Sequence, residues 1–355
     1  MDYVIYGAYG YTGELIAREA VAQGHEPLLA GRNESKLERL AGELGLPSRA
    51  VSLTDGFRLR SLLAEAPAVI HCAGPFSQTA LPMVEACLDS GTHYLDITGE
   101  IDIFEALQAR NDDAIAADVM LLPGIGLDVA PTDCLANALA DRVTDPTDLE
   151  IAIMGIGGVS RGTLKTVVEQ AGQGGLVRRG GSLVHVPSGW STRTVDFGDH
   201  PRTVISIPWG DVVTAGYSTG IPNITVYTYL PRLGRQLLRL SRYVEGLFEW
   251  EPVQTLLKQL IDHLVPNPSA ETRRKGRMMV WASIRDGEGQ TRTARIWGPE
   301  AYTFTARTAV GAAEEVMGGT APVGYQTPAT AFGSAFALNL EGVERDLPSG
   351  DTGDE

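Results

Sequence analysis

The chain has 355 residues, with 44 acidic side chains against 29 basic ones and a formal net charge of −15 at pH 7. That balance repels a phosphate backbone, and no basic stripe interleaved with aromatic residues appears, so nucleic-acid binding is excluded. A hydrophobic content of 43% with 41 glycines and 20 prolines reads as a turn-rich α/β chain, long enough for two domains.

No apolar run approaches the roughly 20 residues that cross a bilayer, so no membrane span is expected. Cys72, Cys87 and Cys134 lie far apart without a CxxC pair, which argues against a disulfide frame and a zinc site. With no secretory leader pattern, the expectation is a soluble cytoplasmic protein.

Tyr3 to Tyr6 is a short β-rich run that ends at Gly7-Ala8-Tyr9-Gly10-Tyr11-Thr12-Gly13, and Glu14 to Gln23 follows with helical character, closed by Gly24. In this strand, glycine turn, helix order Gly7 permits a tight turn and Gly10 lets backbone approach a pyrophosphate. Gly13 lets the helix pack closely on the strand, with the helix N-terminus facing the anion. The spacing is GxxGxxG rather than GxGxxG, but a second strand, Glu26 to Ala30, follows at βαβ distance. Tyr9, Tyr11 and Thr12 lie inside the same turn and join the candidate cofactor contacts.

At the end of that second strand an NAD-dependent enzyme usually carries an acidic residue for the ribose hydroxyls. Here the chain reads Gly31-Arg32-Asn33, with Lys36 one turn on. A guanidinium at this place suits a 2′-phosphate, so the expected cofactor is NADP(H). The bland alternative is an Arg32 that pairs with a surface carboxylate.

Ala68 to His71 reads as a third buried strand that breaks at Cys72-Ala73-Gly74-Pro75-Phe76, followed by a helix from Leu81 to Asp89 and by Gly91-Thr92-His93-Tyr94-Leu95-Asp96-Ile97-Thr98-Gly99-Glu100. Together with GAYGYTG and AGRN, these strings resemble the saccharopine dehydrogenase-like family of NADP-binding reductases, including its branch of trans-acting enoyl reductases. The resemblance continues through Pro123 to Asp133, Gly157 to Thr163 and Gly324 to Ala329. It implies that Cys72, Ala73, Gly74 and Pro75 lie along the ribose and nicotinamide side of the cofactor. Ligands in open α/β sheets do bind beyond the carboxyl ends of strands.

After about residue 130 the pattern changes to longer β runs, at Leu149 to Met154, Ser182 to Val186, Thr203 to Pro208 and Ile224 to Leu230. Helical segments at Leu233 to Phe248 and Val253 to Leu264 precede a hairpin of Met278 to Ile284 with Thr291 to Trp297. The fold expected is therefore a Rossmann-type doubly wound parallel sheet over 1–130, completed by about 301–340. An α+β domain on a mostly antiparallel sheet would cover 131–300, and 341–355 would be an acidic, flexible tail. A homodimer through the second sheet is implied by the resemblance alone.

The residues four before the four lysines are Arg32, Arg161, Gln254 and Glu271, so no Tyr-x-x-x-Lys supplies an acid. Six dispersed histidines carry no HxxxH or HExxH, so no metal is expected. The candidate acids are Asp128 and Asp96, each just beyond an expected strand end, and a loop or cap role is the competing reading for both. Ser160, Arg161 and Lys165, beside a glycine-rich stretch that opens a helix, could receive an anionic substrate group, or form a hinge with a capped helix. Ile207 to Asp211 and Tyr217 to Asn223 could wall a pocket from strand ends, or pack a sheet edge.

Hydride transfer needs orientation more than covalent help from the protein, so the absence of signature residues is compatible with a reductase of C=N or C=C bonds. A dicarboxylate substrate would demand several converging arginines, and these strings supply one or two. The competing function is a non-catalytic NADP(H)-binding redox sensor or partner-binding protein.

Overall fold

The computed structural model describes residues 2–170, 174–243 and 250–348. It divides into two compact units, one formed by the chain up to Ala130 with Tyr302–Gly333, the other by Pro131–Ala301 with the chain from Ser334 onward.

Among the described residues, the first unit carries a seven-stranded, wholly parallel sheet. Its strands are β1 (Val4–Tyr6), β2 (Leu28–Gly31), β3 (Ser48–Ala50), β4 (Ala68–His71), β5 (His93–Asp96), β6 (Met120–Leu122) and the two-residue Gly324–Tyr325. The spatial order is β3, β2, β1, β4, β5, β6, Gly324–Tyr325. Strand order reverses between β1 and β4, which opens a crevice at their carboxyl ends where doubly wound sheets bind ligands. β1, β2 and β4 are buried along their whole length, which fits their near-continuous apolar sequences and helices on both faces.

Helices α1 (Tyr11–Ala22), α2 (Glu34–Leu44), α3 (Gly56–Leu63) and α4 (Phe76–Ser90) connect these strands. Each starts where local chemistry allows. The Asn33 side chain accepts the Lys36 amide at 3.0 Å, and Gly45 and Gly91 close α2 and α4 in left-handed conformations. The core gathers Val4, Tyr6, Val69, Met83, Tyr94 and Leu121 around the sheet. β3 did not stand out in the sequence, and the expected third strand is the fourth in chain order.

The second unit is built on a nine-stranded mixed sheet among the described residues. Its strands are β7 (Pro146–Ile156), β8 (Gly175–Arg179), β9 (Ser182–Val186), β10 (Thr192–Asp196), β11 (Pro201–Ser206), β12 (Asn223–Tyr229), β13 (Arg277–Asp286), β14 (Thr291–Pro299) and Glu344–Asp346. β7 and β12 run parallel and the other pairs are antiparallel. The register places Ile151 opposite Ala282 and Ile153 opposite Val280, so alternate residues of β7 and β13 share one buried face. The other face carries Ala152, Met154, Tyr227 and Trp281, which join Val195, Phe197 and Val204 in a second core cluster.

Three expectations need correction here. Asp211–Thr219 is a helix that the sequence did not show, so the residues at 207–223, which do lie between the end of β11 and the start of β12, bracket a helix rather than form loops alone. Glu344–Asp346, expected within a flexible tail, pairs with β14, because edge pairing needs backbone rather than apolar side chains, and Arg295 bonds Asp346 at 2.8 Å. The helix expected over Leu233 to Phe248 is observed as Arg232–Ser241, and residues 244–249 lie outside the described residues. No helix among the described residues is long and apolar enough to cross a membrane.

Candidate functional site

The crevice between β1 and β4 is built from backbone. Gly7 has φ +82°, a left-handed conformation, and a β-carbon there would lie 2.9 Å from the backbone nitrogen and Cβ of Ala73. The turn after β1 therefore rests on the exit of β4. Gly10 donates its amide to the Gly7 carbonyl at 2.9 Å, and a β-carbon on Gly13 would stand 2.5 Å from that same oxygen. The three glycines close a tight turn that aims the first turn of α1 into the crevice.

The N-termini of α1 and α4 are finished differently. At α1 the N-cap is Gly10, which offers no side-chain cap, so amides of the first turn face outward as an anion cradle. At α4 the Glu100 carboxylate accepts the amides of Phe76 at 2.9 Å and Ser77 at 2.7 Å. A phosphate group is thus accommodated at α1, while the start of α4 already holds a negative charge.

At the exit of β2, Gly31 leaves room for the Tyr9 ring, whose Cε1 would be 2.8 Å from a β-carbon at that position. Lys36 places its ammonium 5.6 Å from the centroid of the same ring. Arg32 is exposed and makes no hydrogen bond or ion pair among the described residues, so the surface-pair alternative is not seen. Its charge is felt by Tyr6, whose phenol burial pushes up to about 12 while the guanidinium pulls the other way. Asn33, counted among the candidate cofactor contacts, spends its side-chain oxygen on capping α2.

Beyond β4, Cys72, Ala73 and Pro75 are half-buried and Gly74 is exposed. Burial also pushes the Cys72 thiol far up, which rules it out as a thiolate at neutral pH. His71 below them is fully buried, and burial drives its pKa down to about 3, so it is neutral. Its Nε2 meets the Thr79 hydroxyl at 3.1 Å, and that hydroxyl donates to the Ala73 carbonyl at 2.7 Å. This pair, absent from the sequence reading, supports the Ala73–Pro75 turn from beneath.

The two candidate acids occupy contrasting surroundings. Asp96 is fully buried and accepts the Tyr94 hydroxyl at 2.6 Å and the amides of Thr98 and Gly124 at 2.9 Å each. Burial raises its pKa to about 6 against the lowering pull of those three donors. It ties the loop after β5 to the loop after β6. Asp128 is half-buried, has no hydrogen-bond partner among the described residues, and burial raises its pKa to about 6 as well. Its Oδ2 would lie 2.8 Å from a β-carbon on Gly99. Thr305, from the helix Ala301–Met317 that returns to this unit, accepts the Leu127 amide at 3.0 Å and sets the turn that leads into Asp128.

In the second unit the Ser160 group is engaged structurally. The Ser160 hydroxyl is buried and accepts the Thr163 amide at 3.2 Å, which caps the helix Arg161–Gln170. Arg161 donates from Nε to the Val265 carbonyl at 2.6 Å, and its amide bonds Asn267 at 3.1 Å. Lys165 is half-buried on the same helix. These contacts realise the capped-helix alternative. No cluster of potential metal ligands occurs among the described residues.

Comparison with known proteins bears on the first unit. Residues 3–122 match the family model "Saccharopine dehydrogenase NADP binding domain". A saccharopine dehydrogenase-like oxidoreductase of Mus musculus is 31% identical over 150 residues, 37% of this chain and 35% of that protein. A trans-acting enoyl reductase of Mycobacterium bovis (strain BCG / Pasteur 1173P2) is 28% identical over 183 residues, 47% of this chain and 44% of that protein. The alignments thus span well under half the length of these curated relatives. The fold as a whole matches apo saccharopine dehydrogenase (L-Glu forming) from Saccharomyces cerevisiae with a TM-score of 0.65 at 12% identity, over 98% of this chain and 99% of that one. Residues 3–122 therefore match an NADP-binding domain of the saccharopine dehydrogenase type, and over these residues the resemblance read from the sequence holds.

Proposed function

We propose that this chain is an NADPH-dependent reductase that directs hydride from NADPH to a C=N or C=C bond of its substrate, with Asp128 delivering the accompanying proton. The reading rests on one observation. Asp128 is a half-buried carboxyl with no hydrogen-bond partner among the described residues and a pKa raised by burial to about 6, beyond the carboxyl end of β6 on the sheet whose β1 and β4 ends form the cofactor crevice. Desolvation of a carboxyl that accepts no hydrogen bond raises its pKa and leaves its proton available for transfer, whereas the oxygens of Asp96 are already occupied by three donors.

The chain's residues divide the remaining work. Gly7, Tyr9, Gly10, Tyr11, Thr12 and Gly13 would hold the pyrophosphate through backbone amides. Arg32 and Lys36 would bind the 2′-phosphate and set the preference over NAD(H). Cys72, Ala73, Gly74 and Pro75 would flank the ribose and nicotinamide. Bound there, NADPH supplies the hydride. Asp96 would keep the two flanking loops in register, and Asp128 would hold its proton toward the atom that becomes negative as hydride arrives.

The relatives include oxidoreductases named for saccharopine dehydrogenase and for enoyl reduction, so both an imine and an enoyl thioester are fitting substrates. The test is NADPH oxidation followed at 340 nm with panels of both. Saturable, substrate-dependent consumption that Asp128→Asn removes supports the reading. Tight NADPH binding with no turnover on either panel would favour the redox-sensor function instead.

A further inference from the structure

We propose that the helix Arg232–Ser241 of the second unit docks on an anionic lipid surface. The helix has no buried residue. Leu233, Leu237 and Leu240, spaced i, i+4 and i+7, line one stripe of it, and each is more than half exposed. An isolated exposed leucine needs no explanation, but a continuous stripe of them marks an interaction face.

Charge identifies the partner. The whole chain carries 44 acidic residues against 29 basic ones, yet residues 231–242 hold Arg232, Arg235, Arg239 and Arg242 and no Asp or Glu. None of these four guanidinium groups forms an ion pair among the described residues. Arg235 reaches the Leu230 carbonyl at 2.6 Å and the Thr203 carbonyl at 3.2 Å, and Arg242 reaches the Arg239 carbonyl at 2.7 Å. These contacts orient the helix against its own unit without neutralising its charge. Four cations with no ion pair among the described residues, beside an apolar stripe, form the pattern of an interfacial helix that lies in the headgroup layer of an acidic membrane.

Two aromatic residues further along the chain agree. Tyr243 and Trp250 are strongly exposed, and these side chains favour the boundary between headgroups and acyl chains. The helix Glu251–Leu264 that follows adds a second exposed row, Leu256, Leu260 and Leu264 at i, i+4 and i+8, while Val253, Leu257 and Ile261 are half-buried. A second copy of the chain fits poorly, because a two-fold contact would set the four arginines of one copy against the same four of the other.

The test is flotation of the full chain with vesicles of phosphatidylcholine alone and of phosphatidylcholine with phosphatidylglycerol, with NADPH affinity as the fold control for each variant. Flotation with the anionic vesicles only, weakened by salt, is expected. Arg232→Gln with Arg242→Gln should lower binding about fivefold per charge removed. Leu233→Ser with Leu237→Ser should lower it tenfold or more, roughly the transfer energy of two leucines discounted for partial burial. No flotation with anionic vesicles, equal flotation with neutral ones, or leucine variants that float like the parent would overturn the proposal. So would a solution dimer that Leu237→Ser dissociates, which would assign the face to a second copy.

Discussion

Gly99 and Asp128 meet so closely that a β-carbon on the glycine would lie 2.8 Å from the aspartate's Oδ2. The loop after β5 thereby fixes where the carboxyl after β6 can stand. Gly99→Ala is expected to push the carboxyl aside and lower turnover on the order of a hundredfold, as a displacement of about 1 Å can do, with NADPH affinity nearly unchanged. Stopped-flow turnover and fluorescence titration of NADPH separate the two quantities. An equal loss in both would mean that the substitution disturbs the fold.

Asp128→Asn removes the proton donor and should lower kcat by roughly a hundredfold to ten-thousandfold. In the parent enzyme, reduction should fade as pH rises through about 6, where the acid loses its proton, and the variant should lack that limb. Stability gives an independent sign. Folding raises this pKa, so the folded state holds the proton more tightly, and stability is lost as pH rises through about 6. Asp128→Asn should therefore stabilise the protein on the order of 1–2 kcal/mol at pH 8 and change little at pH 4, read by urea titration at both values.

Arg32→Ala should weaken NADPH binding by about tenfold or more, the worth of a charged hydrogen bond to phosphate, and leave NADH binding almost untouched. Isothermal titration with both nucleotides checks this. Equal losses would remove Arg32 from the 2′-phosphate role and leave Lys36 as the candidate.

Gly13→Ala forces a β-carbon to within 2.5 Å of the Gly7 carbonyl oxygen, a contact with backbone that cannot swing away. The expected result is a loss of roughly 1–3 kcal/mol in stability together with weaker binding of either nucleotide. Thermal unfolding with and without NADPH reads both.

Asp96→Ala strips the acceptor from the Tyr94 hydroxyl and from the Thr98 and Gly124 amides, all buried. About 1–3 kcal/mol for each stranded donor predicts severe destabilisation. Asp96→Asn should fold better and keep measurable turnover, as expected of a residue that positions loops rather than donates a proton. Loss of kcat in a fully folded Asp96→Asn would return it to the list of acids.

The parts of this molecule that were legible in its sequence are local. Gly7, Gly10 and Gly13 act within one turn, Arg32 stands where a strand ends, and β1, β2 and β4 announce themselves as apolar runs. What escaped depends on distant partners or on backbone. The Thr305 support of Leu127 spans 178 residues. Glu100 caps α4 from 24 residues away. β3 is three half-buried residues, Ser-Arg-Ala, and Glu344–Asp346 is fully exposed and charged, so neither shows a strand's apolar alternation. The helix Asp211–Thr219 misleads in the other direction, because Val212, Val213 and Thr214 favour strands and tertiary burial overrides that preference.

The most direct test of the central claim is transfer of deuterium from NADPH labelled at the nicotinamide C4, in each stereochemical form, to imine and enoyl thioester substrates, read by mass spectrometry of the products. One of the two labelled forms should deliver its deuterium to a carbon of the product, beside nitrogen for an imine or at the β-carbon for an enoyl group, and Asp128→Asn should slow this transfer. Tight binding of NADPH with no label in any product, from either form, would contradict it.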